Sequence, residues 1–251
     1  MMPPVKTAEY LLIDISNSFT KLAFASAKRL ARTRRIATRE FTSAYLRGIL
    51  RVCRPRTIVI SSVVPARNKA IKKAARGIRL LWLNADINLG VGIEYPEPES
   101  IGADRLANAA AVAVLYGCPA VVVDFGTAVT FDVVSVGRQY IGGVIAPGLE
   151  AMTSFLYQRT ALLPKLSLKE PRGAVGKSTG GAMMAGAVYG YRGLVREILH
   201  RIKAERFPRQ SVKIVATGGY AELIARQLPE IQSVHPNLTL EGLRIVAELN
   251  R

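Results

Sequence analysis

Cysteine and histidine are scarce in this chain of 251 residues. The two cysteines, Cys53 and Cys118, and the two histidines, His200 and His235, form no CxxC motif and no Cys/His cluster. Two such cysteines cannot build a disulfide framework. With only two cysteines and two histidines, a structural zinc site and a histidine-based triad are all but excluded. We therefore expect a reduced, cytoplasmic protein whose chemistry rests on carboxylates, hydroxyls and glycine loops.

Long apolar runs are lacking as well. The start, MMPPVKTAEY, has prolines and a glutamate where a signal peptide needs a continuous apolar segment. The longest apolar stretch, residues 106–123, is interrupted by Asn108, Gly117 and Pro119. It is close to membrane-spanning length, but the interruptions favour a helix that ends near Tyr116, a turn and a buried strand. We expect no membrane partner.

Acidic residues are few in the first third of the chain. Residues 1–80 hold 18 lysines and arginines against three acids, whereas the rest holds 17 against 15. Such an excess can bind nucleic acid, can attract an anionic nucleotide, or can be a solvated surface. The cations lie inside predicted strands and amphipathic helices without interleaved stacking aromatics. We therefore do not expect a nucleic-acid partner.

What the chain does have is enough apolar sequence to form a core. Hydrophobic residues make up 49% and charged residues 21%, as in a globular protein of one large or two modest domains. Strands are predicted at residues 10–14, 21–25, 57–62, 78–83, 120–124, 128–134, 140–146 and 212–216. Helices are predicted at 42–53, 66–77, 101–116, 148–158, 178–204, 220–227 and from 240. This alternation predicts an α/β fold with sheets covered on both faces.

One pattern occurs twice. An apolar strand ends in aspartate, a turn of small residues follows, and a threonine-bearing strand comes next, first at Asp14 and again at Asp124. The repetition predicts two similar lobes with a cleft between them, which we place at residues 1–116 and 117–251.

Both turns suit a nucleotide. Phosphate oxygens are held by backbone N–H groups and short hydroxyls, because bulkier side chains keep them too far away. The segments with this form are Asp14-Ile15-Ser16-Asn17-Ser18-Phe19-Thr20-Lys21 and Asp124-Phe125-Gly126-Thr127-Ala128-Val129-Thr130. Each aspartate can also hold a hydrated cation against the phosphates. One such turn is typical of an ordinary hairpin, whereas two in matching positions indicate a nucleotide site.

A third cluster is Gly102-Ala103-Asp104-Arg105. An acid followed by a base at a helix start is usually a solvated first turn, in which the acid complements the helix dipole. The same pair can act in catalysis, with the aspartate accepting the proton of an attacking hydroxyl and the arginine binding an anionic group. Spacing alone does not decide between these interpretations.

The glycine-rich segments after Asp132 are less specific. Residues 142–148 form either a plain turn or a close approach of backbone to ligand, and 217–219 form a helix entry or a platform for a nucleoside. Thr179 is a candidate helix N-cap whose hydroxyl could instead face a substrate. Gly176-Lys177-Ser178 is not a P-loop, because the earlier glycine and the leading strand are missing.

Taken together, these segments resemble the type III pantothenate kinases of the sugar kinase, heat-shock chaperone and actin superfamily. The resemblance spans nearly the whole chain in matching order. It rests on Asp14…Asn17…Lys21, Tyr95-Pro96, 102–105, 124–132, 142–148, Thr160-Ala161-Leu162-Leu163-Pro164, Thr179, 217–219 and Leu238-Thr239-Leu240-Glu241-Gly242-Leu243.

The resemblance implies a homodimer of chains with two ribonuclease-H-like lobes and an active-site cleft between the lobes. It implies ATP-dependent phosphorylation of pantothenate to 4'-phosphopantothenate, the first step towards coenzyme A. Asp104 would be the proton acceptor. Tyr95, Gly102, Ala103, Asp104, Arg105 and Thr179 would bind pantothenate, and residues 14–21 with Thr127 would bind ATP. Asp124 would coordinate a monovalent cation, potassium or ammonium, and magnesium would accompany the nucleotide.

The chain departs from the family at position 16, where Ser16 replaces the usual glycine of Asp-x-Gly-Asn. Glycine allows a close backbone approach and unusual dihedral angles. The serine side chain could crowd the nucleotide or donate a hydrogen bond to it.

Two other functions fit the same scaffold. A transcription-accessory or nucleic-acid-associated regulatory protein would use the basic first lobe, but would not require Asp104-Arg105 and Asp124…Thr127 together. Another small-molecule kinase or phosphatase of the superfamily would keep those residues and change the acceptor.

Overall fold

The computed structural model describes residues 8–251. The prediction about the start of the chain rests largely on residues 1–7 and so falls mainly outside the described residues. Within residues 8–251, no helix combines the length and the hydropathy that crossing a bilayer needs. The stretch 106–123 forms most of a helix, a turn and the start of a strand, as predicted.

The elements alternate along the chain and confirm the α/β class. The strands are β1 (Tyr10–Ile15), β2 (Phe19–Ala25), β3 (Arg34–Ala37), β4 (Thr57–Ser62), β5 (Arg79–Trp82), β6 (Gly92–Ile93), β7 (Ala120–Phe125), β8 (Ala128–Val134), β9 (Gln139–Pro147), β10 (Lys213–Gly218) and β11 (Ser233–Val234). The helices are α1 (Ser43–Val52), α2 (Pro65–Ala74), α3 (Ala103–Leu115), α4 (Leu149–Arg159), α5 (Thr179–Arg206), α6 (Ala221–Ala225) and α7 (Leu238–Leu249). Single 3-10 turns lie at Thr38–Glu40 and Pro98–Ser100.

The first compact unit comprises residues 8–116, Arg138–Ile141 and Asn237–Arg251. Its sheet has the order β3-β2-β1-β4-β5, with β1 antiparallel to β2 and parallel to β4. Every residue of β1 is buried, because α1 and α2 cover one face of the sheet while α3 and α7 lie on the other. The central strand thus holds Asp14 rigidly at its carboxyl end.

The second unit comprises Gly117–Gly137 and Gly142–Pro236. Its strands follow the order β11-β10-β7-β8-β9, and β7 is antiparallel to β8 and parallel to β10. The pairing of β7 with β8 and β10 therefore repeats that of β1 with β2 and β4. The predicted repetition of the two acidic hairpins is confirmed.

The grouping of residues differs from the predicted lobes at the end of the chain. We predicted residues 117–251 as one lobe, but α7 packs against α3 and the first sheet. The cause is a close helix crossing, since a Cβ at Gly242 would overlap the backbone of Ala107. A buried bond from the Thr239 hydroxyl to Asn108 Oδ1 (2.9 Å) joins the same two helices.

Candidate active site

The first acidic turn is a tight hairpin held from the side by a threonine. The backbone N–H of Ser16 donates to Phe19 O (3.1 Å) and closes the link between β1 and β2. The hydroxyl of Thr38 donates to Ser16 O (2.6 Å), and the N–H of Thr38 donates to Ser18 O (3.0 Å). The backbone of the predicted ATP-binding segment is thereby fixed, while Asn17 and Ser18 remain exposed.

Serine fits position 16 without backbone strain. Within residues 8–251 the one residue other than glycine with a positive φ is Arg138, so Ser16 has an ordinary dihedral angle. The hairpin therefore does not need the conformational freedom of glycine at this position.

Asp14 shares one face of the sheet with two positively charged side chains. The ladder places Lys21 opposite Asp14, and Arg35 opposite Lys21 on the next strand. Residues paired in this way point to the same face. The Arg35 guanidinium also stacks on the exposed ring of Phe19, 3.4 Å from its centroid. Positive charge therefore lies beside the turn, where it can attract phosphate oxygens.

The second acidic turn is packed against glycines from two other segments. A Cβ at Gly148 would overlap Thr127 O and lie 2.7 Å from Gly126 O, and a Cβ at Gly218 would lie 2.6 Å from Asp124 Oδ1. Gly218 also has a φ of +95°, which glycine adopts readily. The N–H of Gly148 donates to Thr127 O (3.1 Å). These contacts hold Asp124 half-buried and leave Thr127 exposed at the tip.

The third cluster lies at the amino end of α3. Gly102 precedes the helix, Ala103 is its first residue, and Asp104 and Arg105 are half-buried in its first turn. The Arg105 N–H donates to Asp104 Oδ1 (2.9 Å), which orients that carboxylate. A Cβ at Gly102 would lie 2.7 Å from the same oxygen, so glycine leaves the space that the carboxylate occupies.

Val63 connects this cluster with the first turn. Its N–H donates to Ile15 O (3.1 Å), at the end of β1. Its Cγ1 would be 3.6 Å from a Cβ at Gly102, which is van der Waals distance. The predicted ATP-binding turn and the predicted catalytic segment are therefore neighbours within the first unit.

Two predicted substrate-binding residues meet at a tyrosine that the sequence did not single out. Tyr140 is buried, with the Tyr95 ring edge-on at 6.2 Å and the Arg105 guanidinium 5.7 Å from its ring centroid. Tyr95 is partly exposed. Tyr140 therefore fixes the spacing between an aromatic surface and a cation, a pair suited to an organic acid.

Thr179 is not the helix cap that the sequence suggested. The cap of α5 is Ser178, whose hydroxyl accepts from the N–H of Gly181 (3.1 Å), and Thr179 is the first helical residue. The hydroxyl of Thr179 is consequently not used for capping, and the residue is exposed. Gly176 belongs to the same local packing, since a Cβ there would overlap the backbone of the first turn of α5.

An ion pair between the buried Arg192 and the partly exposed Glu170 anchors the segment before Thr179. The Arg192 guanidinium donates to both Glu170 carboxylate oxygens (2.9 and 2.7 Å) and to the carbonyls of Leu223 and Ile224. These bonds to Arg192 hold the pKa of Glu170 below its ordinary value. The residues between α4 and α5 form no helix or strand, and this pair ties the segment to α5 at Glu170.

Three residues that contribute to this geometry were not identified from the sequence: Thr38, Val63 and Tyr140. Thr38 and Val63 act through backbone and van der Waals contacts that leave no motif. Tyr140 carried one available signal, because it lies two residues before the glycine-rich run 142–148 on the same predicted strand.

No group of three or more histidine, cysteine, aspartate or glutamate side chains in residues 8–251 could form a metal cage. Asp124 is instead flanked by hydroxyls, with Thr217 opposite it on β10 and Thr130 opposite it on β8. One carboxylate with neutral oxygens fits a singly charged cation better than a tightly bound divalent or transition metal.

Comparison with known proteins agrees with this arrangement. The sequence model of the family described as type III pantothenate kinase matches residues 10–201. The type III pantothenate kinase of Akkermansia muciniphila is 50% identical over 96% of this chain and 99% of its own length. That of Methylacidiphilum infernorum is 42% identical over 95% of this chain and 88% of its own length.

Among solved structures, the inorganic polyphosphate/ATP-glucomannokinase of an Arthrobacter strain has a TM-score of 0.50 at 15% identity, over 98% of this chain and 100% of that one. This likeness supports a shared fold. The regulatory alternative is not favoured by the sequence relatives. This chain belongs to the type III pantothenate kinase family.

Proposed function

We propose that this chain transfers the γ-phosphoryl group of ATP to the primary hydroxyl of pantothenate, with Asp104 as the proton acceptor. The product is 4'-phosphopantothenate, the first intermediate on the route to coenzyme A. The observation that carries the assignment of Asp104 is its position. Its carboxylate is oriented by the Arg105 N–H. Gly102, two residues before it, lies near Val63, whose N–H donates to Ile15 O at the start of the turn proposed to bind ATP.

In this reaction the hydroxyl oxygen of pantothenate forms a bond to the γ-phosphorus, and the bond from that phosphorus to the leaving oxygen of ADP breaks. The hydroxyl proton passes to Asp104. Phosphoryl transfer needs mainly positioning and compensation of spread negative charge. General-base assistance adds about 10²–10⁴-fold.

ATP is bound by the segment from Asp14 to Lys21 and by Thr127. Ser16, Asn17 and Ser18 present backbone and hydroxyl groups at a hairpin end, and Lys21 supplies positive charge. Magnesium is carried by the phosphates, as is usual for nucleotides. Because the reaction consumes ATP, we place the enzyme in the cytoplasm.

Pantothenate carries a carboxylate at one end and the reacting hydroxyl at the other. Arg105 offers the cation for the carboxylate, and Tyr95 offers an aromatic surface beside it. Gly102 and Ala103 line the start of α3, and the exposed Thr179 offers a hydroxyl. Asp124 would coordinate the monovalent cation, which neutralises charge near the phosphates.

A homodimer would cover an apolar surface of the second unit. Phe155, Leu156 and Tyr157 of α4 are 60, 40 and 48% exposed, and Leu162 just after the helix is 90% exposed. Large apolar side chains grouped this way are typical of an interface. We expect Phe155→Lys to shift the particle mass measured by sedimentation from dimer to monomer, whereas Val52→Lys, at an exposed site on α1, leaves it unchanged. A wild-type monomer would contradict the proposal.

The activity is tested by ADP release with and without pantothenate, repeated in sodium, potassium and ammonium buffers. We expect release that depends on pantothenate and is faster in potassium or ammonium than in sodium. ADP release at the same rate without pantothenate would refute pantothenate as the acceptor of the phosphoryl group. Equal rates in all three buffers would refute only the role of the monovalent cation and leave the kinase activity standing.

Removing the positively charged side chain at position 105 should mainly weaken pantothenate binding. We expect Arg105→Ala to raise the KM for pantothenate about 10-fold or more, the usual loss for a charged hydrogen bond, while the KM for ATP changes little. Arg105→Lys should recover part of the loss, since it restores charge without the planar fork. An unchanged KM for pantothenate in Arg105→Ala would remove Arg105 from this role.

A further inference from the structure

The two acidic turns have equivalent neighbours on the adjacent parallel strand. Asp14 of β1 is paired with Ser61 of β4, and Asp124 of β7 is paired with Thr217 of β10. Directly paired residues of neighbouring strands point to the same face of a sheet. Each aspartate therefore has a hydroxyl beside it.

The two hydroxyls differ in what they bind. Ser61 is buried and its hydroxyl donates to Asp14 Oδ1 (3.1 Å). Thr217 is also fully buried, yet its Oγ1 has no hydrogen-bond partner within residues 8–251. Leaving a buried hydroxyl without a partner is unfavourable, so such a group usually binds a ligand or a water in the functional protein.

A second hydroxyl lies on the other side of Asp124. Thr130 of β8 is paired with Asp124, which gives the row Thr217, Asp124, Thr130 across three adjacent strands. The Thr130 hydroxyl donates to Oδ2 of the fully buried Asp132 (3.4 Å). Because its hydrogen points to Asp132, the Thr130 oxygen has lone pairs left for a cation.

We propose that Thr217 Oγ1 and Thr130 Oγ1 are ligands, together with Asp124, of the monovalent cation of this enzyme, and that Asp132 orients Thr130. The proposal rests on the proposed role of Asp124 and extends it to three further residues. A cation would satisfy the Thr217 oxygen, which accepts but has nothing to accept from in the protein alone. The single carboxylate of the row matches a single positive charge.

Thermal unfolding of the full-length protein in potassium chloride tests the proposal, against choline chloride at equal ionic strength and with MgADP present in both. A cation that binds the folded state raises Tm by mass action. We expect the wild type to gain Tm in potassium, and Thr217→Val to need about 10-fold more potassium for half of that gain. In choline chloride, Thr217→Val should be as stable as the wild type or more so, because no hydrogen bond within the protein is lost.

Two variants control for packing. Thr217→Ser keeps the hydroxyl and should restore most of the potassium affinity. Thr153→Val removes another buried hydroxyl of the second unit, one that donates to Leu149 O and Glu150 O of its own helix. It should lower Tm equally in both salts and leave the potassium midpoint unchanged.

The outcomes separate this inference from the proposed function. If Asp124→Asn loses the potassium response while Thr217→Val keeps the wild-type midpoint, the role of Thr217 is refuted and that of Asp124 stands. If the wild type itself shows no potassium response, both assignments fall. The pantothenate-dependent release of ADP, measured separately, decides the kinase activity in either case.

Discussion

Asp104→Asn should lower kcat by about 10²–10⁴-fold while leaving the affinity for ATP nearly unchanged. Asparagine has the shape of aspartate, and its Oδ1 can still accept the Arg105 N–H at the start of α3. What it loses is the ability to accept the proton of the attacking hydroxyl. Single-turnover rates and ATP binding by calorimetry, measured on the same preparation, separate the two effects.

The matched control is Glu99→Gln, which neutralises an exposed carboxylate in the 3-10 turn just before the cluster. It should leave kcat unchanged. Wild-type turnover by Asp104→Asn would exclude Asp104 as the proton acceptor. An equal fall in kcat for both variants would mean that net charge, rather than proton transfer, explains the effect.

Gly148→Ala should nearly abolish ATP-dependent turnover, because the added methyl group overlaps Thr127 O and crowds Gly126 O. Both obstacles are backbone atoms, which cannot rotate away as a side chain would. The turn that carries Thr127 must therefore move, at a cost of about 1–3 kcal/mol in stability. We expect a lower Tm together with weaker ATP binding, measured by thermal unfolding and calorimetry.

Gly186→Ala is the matched control in the same unit. A Cβ at Gly186 meets nothing within 4 Å, and the residue lies inside α5. Alanine is the better helix former, so this variant should be as stable as the wild type or slightly more stable. Normal turnover and Tm in Gly148→Ala would show that the turn is not confined by this contact.

The parts of the fold that the sequence predicted are those with strong local patterns. The apolar runs before Asp14 and Asp124 predicted the central strands, and their small-residue turns predicted the hairpins. The doubled pattern also predicted that the first strand arrangement is repeated in the second half of the chain. Each of these signals depends on residues close together in the chain.

The missed elements lack such local signals. β3 is a four-residue edge strand whose Arg34 and Arg35 face solvent, so it has no apolar alternation. β6 and β11 have two residues each, too few for a pattern. The position of α7 depends on the contact of Gly242 with Ala107, more than 100 residues away in the chain.

In the candidate site, too, the residues in short sequence motifs were predicted and those defined by three-dimensional contacts were not. Asp14, Asp124 and Asp104 were identified from short motifs, and the resemblance supplied their roles. Tyr140 was not singled out, and Thr217 was considered only as part of 217–219, as a helix entry or a platform for a nucleoside. What distinguishes them is geometric: a ring between Tyr95 and Arg105, and a buried hydroxyl without a partner within residues 8–251. Neither relation leaves a spacing in the sequence.

The proposed phosphoryl transfer can be followed atom by atom with ATP whose γ-phosphate carries oxygen-18. The account predicts that mass spectrometry finds pantothenate bearing one labelled phosphoryl group, formed by the wild type and at least about 100 times more slowly by Asp104→Asn. Labelled inorganic phosphate with pantothenate recovered unchanged would contradict it.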